Sequence, residues 1–271
     1  MYMEWLQLEN GVKIPQIGLG VWQSGSSTEE AVRWALQAGY RHIDTAAIYG
    51  NEEAVGRGIR ASGIPREDIF LTTKLWTDDV RRGRTRAALM ESLKKLGTDY
   101  IDLYLIHWPA EGYEKAWEDL AVLYHEGWCR AIGVSNFEED HLQALRGVAD
   151  IKPQVDQFES HPTFQNNGLL EACRQERITA EAYSPLGRGN DLIGSEVVQK
   201  IAKKYERTPA QVVLRWHVQR GMVVIPKSVH KERIEENLRI FDFKLRKRDV
   251  DALNAMERGQ RLGSDPHHFA F

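Results

Sequence analysis

Tyr100-Ile101-Asp102-Leu103-Tyr104-Leu105-Ile106-His107 is the stretch on which the fold turns. It is almost unbroken in apolar and β-favouring residues, so it reads as a strand covered on both faces. A helical pattern follows it over residues 113–125. A doubly buried strand leading into a helix points to parallel pairing through helical crossovers.

The alternation continues on either side. Upstream, residues 69–74 and 40–44 read as strands. Each leads into a helix, one with Leu89, Leu93 and Leu96 at helical spacing before Gly97, the other over about 51–61. Downstream, strands at 130–134, 154–158 and 178–183 alternate with helices at 138–146 and about 169–174. Thr208-Pro209-Ala210-Gln211 predicts a capped helix start, residues 222–225 a last strand, and residues 231–238 a helix before the tail. At the front, Asn10-Gly11 between residues 5–8 and 12–14 predicts a hairpin with a two-residue turn. Residues 17–21 form a short apolar run, and Ser27-Thr28-Glu29-Glu30 predicts a capping box opening a helix that stops near Gly39.

This pattern holds about eight strand–helix units with no compositional break. An open doubly wound sheet and a closed (β/α)8 barrel both satisfy it. The opening hairpin decides between them, because it has no place in an open sheet but can plug the bottom of a barrel. The expectation is a single α/β domain over 1–271, a (β/α)8 TIM barrel capped below by the β-hairpin. Its C-terminal tail, about 258–271, is expected near the active-site rim.

Composition excludes several classes. The 271 residues are 42% hydrophobic and 28% charged, with a net charge of −3, so nothing favours nucleic acid or an anionic membrane. The basic run Arg81, Arg82, Arg84 and Arg86 reads as a solvated helix face. Cys129 and Cys173 read as buried free thiols in a reducing compartment. The start Met-Tyr-Met-Glu-Trp lacks the form of a signal peptide, and no apolar run is long enough to span a bilayer. A cytoplasmic monomer is the expectation.

The residues that end the strands carry the chemistry: Val21-Trp22, Asp44, Lys74, His107, Ser135-Asn136, Gln157, Tyr183-Ser184 and Lys227-Ser228. In a barrel these share the C-terminal rim, where active sites are built. Asp44 and Tyr49 sit in the connection of Arg41-His-Ile-Asp-Thr-Ala-Ala-Ile-Tyr-Gly-Asn-Glu52. A tyrosine hydroxyl has a pKa of about 10 and needs help to act as an acid near neutrality. Lys74 can lower that value if it stays charged, which requires a counter-ion, and Asp44 is the candidate. His107 can orient a carbonyl oxygen. The set is a proton donor with no nucleophile. Taken singly, each member also has an ordinary reading as turn residue, packed ring or surface cation. Trp22, Trp76 and Trp108 each follow a strand end and together suggest a pocket wall.

Asp44-Thr-Ala-Ala-Ile-Tyr-Gly-Asn-Glu52, Lys74-Leu-Trp76, Asp102-Leu-Tyr-Leu-Ile-His-Trp-Pro109, Gly133-Val-Ser-Asn-Phe137 and Ile225-Pro-Lys-Ser-Val-His-Lys-Glu-Arg-Ile-Glu-Glu-Asn237 occur in order along nearly the whole chain. In these segments the sequence resembles the aldo-keto reductase family, and within it the short bacterial 2,5-diketo-D-gluconate and glyoxal reductases. The resemblance implies NADPH-dependent reduction of aldehydes or ketones, with Tyr49 as general acid, Lys74 and Asp44 as its tuning pair and His107 orienting the substrate. It implies that Ser135, Asn136 and Gln157 hold the nicotinamide carboxamide while Tyr183 stacks on the ring. Val21 and Trp22 would flank the cofactor, and Ser184, Pro185, Leu186 and Gly187 would follow the pyrophosphate. Lys227, Ser228, Val229, Arg233, Glu236 and Asn237 would surround the adenosine end and its 2′-phosphate. The implied substrate pocket is Trp22, Tyr49, Trp76, His107 and Trp108, and the partner is a small carbonyl compound.

Three departures stand out. Asp156 occupies a position where the family usually has asparagine, on the strand face opposite Gln157. Trp22 is bulkier than usual, and the loop after Pro109 is short. Two other classes fit less well. A hydrolase would need Gly133-Val-Ser-Asn-Phe137 to be a nucleophile elbow, but its last glycine is missing. No metal is expected, and His267-His268 read as a solvated tail pair. A nicotinamide-binding regulator with little turnover would not need the complete set of four. Gly18-Leu19-Gly20 has Gln23 where a dinucleotide fingerprint would have its third glycine.

Overall fold

In the computed structural model, which describes residues 3–189 and 191–271, Ile101–Ile106 is a strand with every residue buried. Met1 and Tyr2 of the N-terminal segment lie outside the described residues. The hairpin consists of β1 (Trp5–Gln7) and β2 (Lys13–Pro15), paired antiparallel. The strands β3 (Leu19–Gly20), β4 (His42–Asp44), β5 (Phe70–Leu75), β6 (Ile101–Ile106), β7 (Cys129–Ser135), β8 (Val155–Glu159), β9 (Thr179–Tyr183) and β10 (Val223–Val224) make one parallel sheet of eight in sequence order.

First and last strands meet, so the sheet closes on itself. The Gly18 amide donates to the Val224 carbonyl at 2.8 Å and the Gly20 amide to that of Pro226 at 3.1 Å. Parallel bridges join Ile17 to Val224 and Gly20 to Lys227. A Cβ on Gly20 would lie 2.9 Å from the Ile225 carbonyl oxygen. Gly20 therefore serves the close approach of two backbones at the seam, while Gly18 leaves room for the His42 ring, which lies 2.7 Å from where a Cβ would sit.

Around the barrel run α1 (Thr28–Ala38), α2 (Glu52–Ser62), α3 (Thr77–Arg81), α4 (Thr85–Leu96), α5 (Tyr113–His125), α6 (Glu139–Ala144), α7 (Asn167–Glu176), α8 (Glu196–Tyr205), α9 (Pro209–Gln219), α10 (Lys231–Leu238) and α11 (Lys247–Asn254). At the opposite end from the strand-end residues, Leu8 and Ile14 of the hairpin pack with Phe70, Leu103, Leu105, Ala131, Val155 and Val223. The hairpin is thus the floor of the barrel. Cys129 and Cys173 are buried and free. No helix among the described residues is long and apolar enough to cross a membrane.

Several local expectations are corrected. The Leu8 amide bonds the Val12 carbonyl, and only Gly11 of the Asn10-Gly11 pair has positive φ, at 86°. The turn is therefore a three-residue loop closed by a glycine bulge rather than a two-residue turn. Ser27 makes no side-chain cap. The chain enters α1 through a short 3-10 turn at Gly25–Ser27, where the Thr28 hydroxyl donates to the Gly25 carbonyl at 2.8 Å. The capping box at Thr208 forms as expected, with Pro209 at the first helical position. Two helices, α8 and α11, fall in segments given no element in the sequence reading. They pack through Val198, Ile201 and Leu253 onto Val212 and Trp216 of α9.

Candidate active site

Alternation along the strands sets up the site. His42 and Asp44 on β4, Thr72 and Lys74 on β5, Gln157 on β8 and Glu181 on β9 form one connected buried set inside the barrel. Lys74 is fully buried, and its ammonium donates to Asp44 Oδ1 at 2.7 Å and to the Thr45 carbonyl at 2.9 Å. Its Nζ lies 5.3 Å from the centre of the Tyr49 ring. Tyr49 and His107 meet edge to face at 5.7 Å between ring centres. Residues 44, 49, 74 and 107 therefore share one cleft.

Burial works against the Lys74 charge, but Asp44 and then Tyr49 outweigh it and lift the ammonium above its ordinary value. Burial also raises Asp44, against the pull of Lys74 and Gln157. Both shifts compete for one proton, and the geometry assigns it to Lys74, since Asp44 accepts from Gln157 Nε2 at 2.9 Å as well. For Tyr49 the outcome corrects the expectation of a phenol below its ordinary value. Burial pushes it up, Lys74 pulls it down, and the net displacement is upward. The phenol accordingly keeps its proton at neutral pH, while the adjacent ammonium favours the phenolate once that proton leaves. Burial, helped by Lys74, drives His107 well below its ordinary value. It is a neutral imidazole whose Nδ1 has no hydrogen-bond partner among the described residues.

The three residues implied for the carboxamide are adjacent but differ in availability. Both Asn136 N–H groups are used, on the His107 carbonyl and on Ser135 Oγ, and its oxygen accepts from the Tyr183 hydroxyl at 2.7 Å. Ser135 Oγ donates to the Gln157 carbonyl. Gln157 Nε2 donates to Asp44 and, at 2.9 Å, to Glu181, leaving Oε1 without a bond among the described residues. Ser184 and Gly187 both have positive φ, which folds Ser184-Pro185-Leu186-Gly187 into a tight turn after β9.

At the implied adenosine end, Lys227 and Arg233 are exposed and make no hydrogen bond or ion pair among the described residues. Ser228 Oγ accepts from the His230 amide just before α10, with Val229 half-buried between them. Asn237 is buried. Glu236 already has a structural partner, since its Oε1 accepts from the Thr208 hydroxyl at 2.7 Å, tying α10 to α9.

The aromatic wall is rearranged from the expectation. Trp76 meets His107 at 5.3 Å, stacks on Phe271 at 5.3 Å, and Trp108 contacts both Phe269 and Phe271. Val21 is buried, and the neighbouring Trp22 makes no ring contact with this group. It is 41% exposed, with the Arg188 guanidinium 5.1 Å from its ring centre. Arg188 also reaches the Leu262 carbonyl, spanning from the β3 rim to the tail.

Several contributors escaped the sequence reading. Arg81, expected to be solvated, donates to the Phe271 carbonyl at 2.8 Å. Arg84 and Arg86 do lie at the surface, paired with Asp79 and Glu126. Glu159 ends β8 and accepts the amides of Leu262 and Gly263, both at 2.7 Å. Although burial raises its carboxyl, bonds from His161 and these amides hold it below its ordinary value. The available signal was a glutamate two residues beyond Gln157 on the same strand face. Glu181 likewise lies two residues before Tyr183 in an otherwise apolar strand. His267 is not merely solvated, since it stacks on His141 at 4.8 Å near Asp140. His141 Nδ1 is already occupied by the Glu138 amide. Asp156 faces away from Gln157 as expected and is buried, and burial holds its carboxyl well above the ordinary range, against a weaker pull from the Phe137 backbone.

Comparison with known proteins agrees with this geometry. The chain is 49% identical over 97% of its length to the 9,11-endoperoxide prostaglandin H2 reductase of Trypanosoma cruzi, covering 94% of that protein. It is 46% identical over 98% of its length to the glyoxal reductase of Bacillus subtilis, covering 97% of that protein. The crystal structure of MGS-M4, an aldo-keto reductase from a Medee basin deep-sea metagenome library, superposes with a TM-score of 0.96 at 44% identity. The match covers 99% of this chain and all of that one. The aldo/keto reductase family model matches residues 16–190 and 191–258. With a closed parallel barrel and Asp44, Tyr49, Lys74 and His107 gathered at its strand ends, the chain belongs to the aldo/keto reductase family, oxidoreductases of carbonyl-to-alcohol chemistry.

Proposed function

We propose that this protein is an NADPH-dependent reductase of small aldehydes and α-dicarbonyl compounds, with Tyr49 as its general acid. One observation carries the reading: a fully buried Lys74–Asp44 ion pair placed against Tyr49 and His107 in a single cleft. A buried ion pair is a poor device for stability alone, because desolvation offsets most of the attraction. Beside a phenol it has a chemical use.

The residues present fit a nicotinamide cofactor. Gln157 Oε1 is a free acceptor for a carboxamide N–H, and the Tyr183 ring is tethered through its hydroxyl to Asn136. Lys227 and Arg233 are exposed cations beside the start of α10 with no partner among the described residues, as a 2′-phosphate needs. The reduced nicotinamide, when bound, supplies the hydride. The chain supplies the rest. The neutral His107 imidazole orients the carbonyl oxygen, and Tyr49 gives its proton to that oxygen as charge develops. Lys74 stabilises the phenolate left behind, and Asp44 holds Lys74 in place. Trp76, Trp108 and Phe271 line a flat aromatic side beside His107, which suits small or planar substrates. The glyoxal reductase relative supports the α-dicarbonyl class.

The test is a panel of methylglyoxal, simple aldehydes and keto-sugar acids, run separately with NADPH and NADH. Turnover of small dicarbonyls with a preference for NADPH is expected. No oxidation of either nucleotide by any carbonyl compound would overturn the reading.

A further inference from the structure

The buried set inside the barrel contains one carboxyl with no role so far. Glu181 is fully buried on β9, directly opposite Gln157 in the β8–β9 register. Gln157 reaches across the interior from β8 to β4, and its single amide nitrogen bridges Asp44 Oδ2 and Glu181 Oε2, each at 2.9 Å. Both of its N–H groups are thereby used, and turning the amide over would set its oxygen against the Asp44 carboxylate. Only Oε1 remains to meet a ligand.

We propose that Glu181 is a positioning residue for the nicotinamide site, anchoring the Gln157 amide so that it presents an oxygen, and never a nitrogen, to the cofactor's carboxamide. This rests on the NADPH reading above. The groups facing Glu181 are His42 and Asp44 from β4, Lys74 from β5 and Gln157 from β8, with Val223 alongside on β10. His42, held at about 3 by burial and by Lys74, is neutral and lies 3.7 Å away. Burial and then the Asp44 charge push the Glu181 carboxyl up to about 8, so near neutrality it is protonated; Oε1, which has no hydrogen-bond partner among the described residues, can hold the proton and leave Oε2 to accept from Gln157. Ionisation above that value adds a second anion beside Asp44, which favours the cationic oxidised nicotinamide over the reduced one.

The experiment compares two ligands on two variants by tryptophan-fluorescence titration. Glu181→Leu removes the acceptor, and NADPH affinity is expected to fall about threefold to tenfold, the effect of one lost hydrogen bond. Affinity for 2′-phospho-ADP-ribose, which has no nicotinamide, is expected to stay within about twofold. Glu181→Gln retains an acceptor but cannot ionise. It should bind NADPH like the parent at pH 7 and lose the parent's tightening of NADP+ relative to NADPH above about pH 8. Equal losses for both ligands, or none for either, would overturn the proposal, as would an unchanged pH profile in Glu181→Gln. If the parent protein binds NADPH and the variants match it, only this inference fails. If the parent binds no NADPH, the functional reading fails with it.

Discussion

Lys74 is a cation with no surface in water, and that placement has consequences for both stability and rate. Lys74→Met strands the Asp44 carboxylate, which should cost about 3–5 kcal/mol in urea unfolding. Adding Asp44→Asn removes the stranded charge and should recover most of that stability while leaving carbonyl reduction at least about a hundredfold down. If the double variant regained activity along with stability, the pair would be structural only. This cluster was partly legible in the sequence, because Asp44, Lys74 and His107 all end strands and Tyr49 follows one closely. Its balance was not. Whether burial or Lys74 governs the Tyr49 proton depends on how far the ring is enclosed, which residue spacing does not encode.

Among the elements, the tail is expected from the sequence near the rim, but the contacts that hold it there are not legible in it. Its last residue packs on Trp76 and is held by Arg81, and its earlier part is pinned by Glu159. Nothing in a Phe-Ala-Phe ending specifies a partner, since aromatic stacking depends on which rings the barrel has already brought to the rim. Deleting residues 265–271 should open the side of the cleft beside His107. The preference for methylglyoxal over a bulky aromatic aldehyde, as a ratio of kcat/KM, should fall about threefold to tenfold with NADPH affinity unchanged. An unaltered ratio would mean the tail does not border the substrate. The helices were legible where apolar spacing was regular, as in α5 and α10. α8 and α11 were not assigned, because a count of one helix per strand leaves no room for the extra pair.

Across the whole molecule, the barrel order followed from doubly buried strands and the hairpin floor. Closure itself depends on contacts between the two ends of the sheet, Ile17 with Val224 and Gly20 with Lys227. Gly20→Ala sets a methyl against the Ile225 carbonyl at 2.9 Å and should destabilise the fold by about 1–3 kcal/mol in thermal or urea unfolding, since backbone must give way. A neutral effect would show that the seam yields freely. The buried acid at Glu181 gives the fold a pH dependence as well. Its folded value of about 8 lies above the ordinary 4.5, so the folded state holds the proton more tightly. The associated stability is fully present below about pH 4.5 and is lost as the pH rises through about 8. Urea midpoints measured over that window should therefore decline more steeply for the parent than for Glu181→Gln. Parallel curves would place the carboxyl's titration elsewhere.

The central claim is that the Tyr49 phenol protonates the substrate oxygen, and Tyr49→Phe tests it most directly, with NADPH binding and methylglyoxal reduction measured on the same preparation. The variant should bind NADPH within about twofold of the parent and reduce methylglyoxal at least about a hundredfold more slowly. Retention of most of the reductase activity with binding intact would contradict the account.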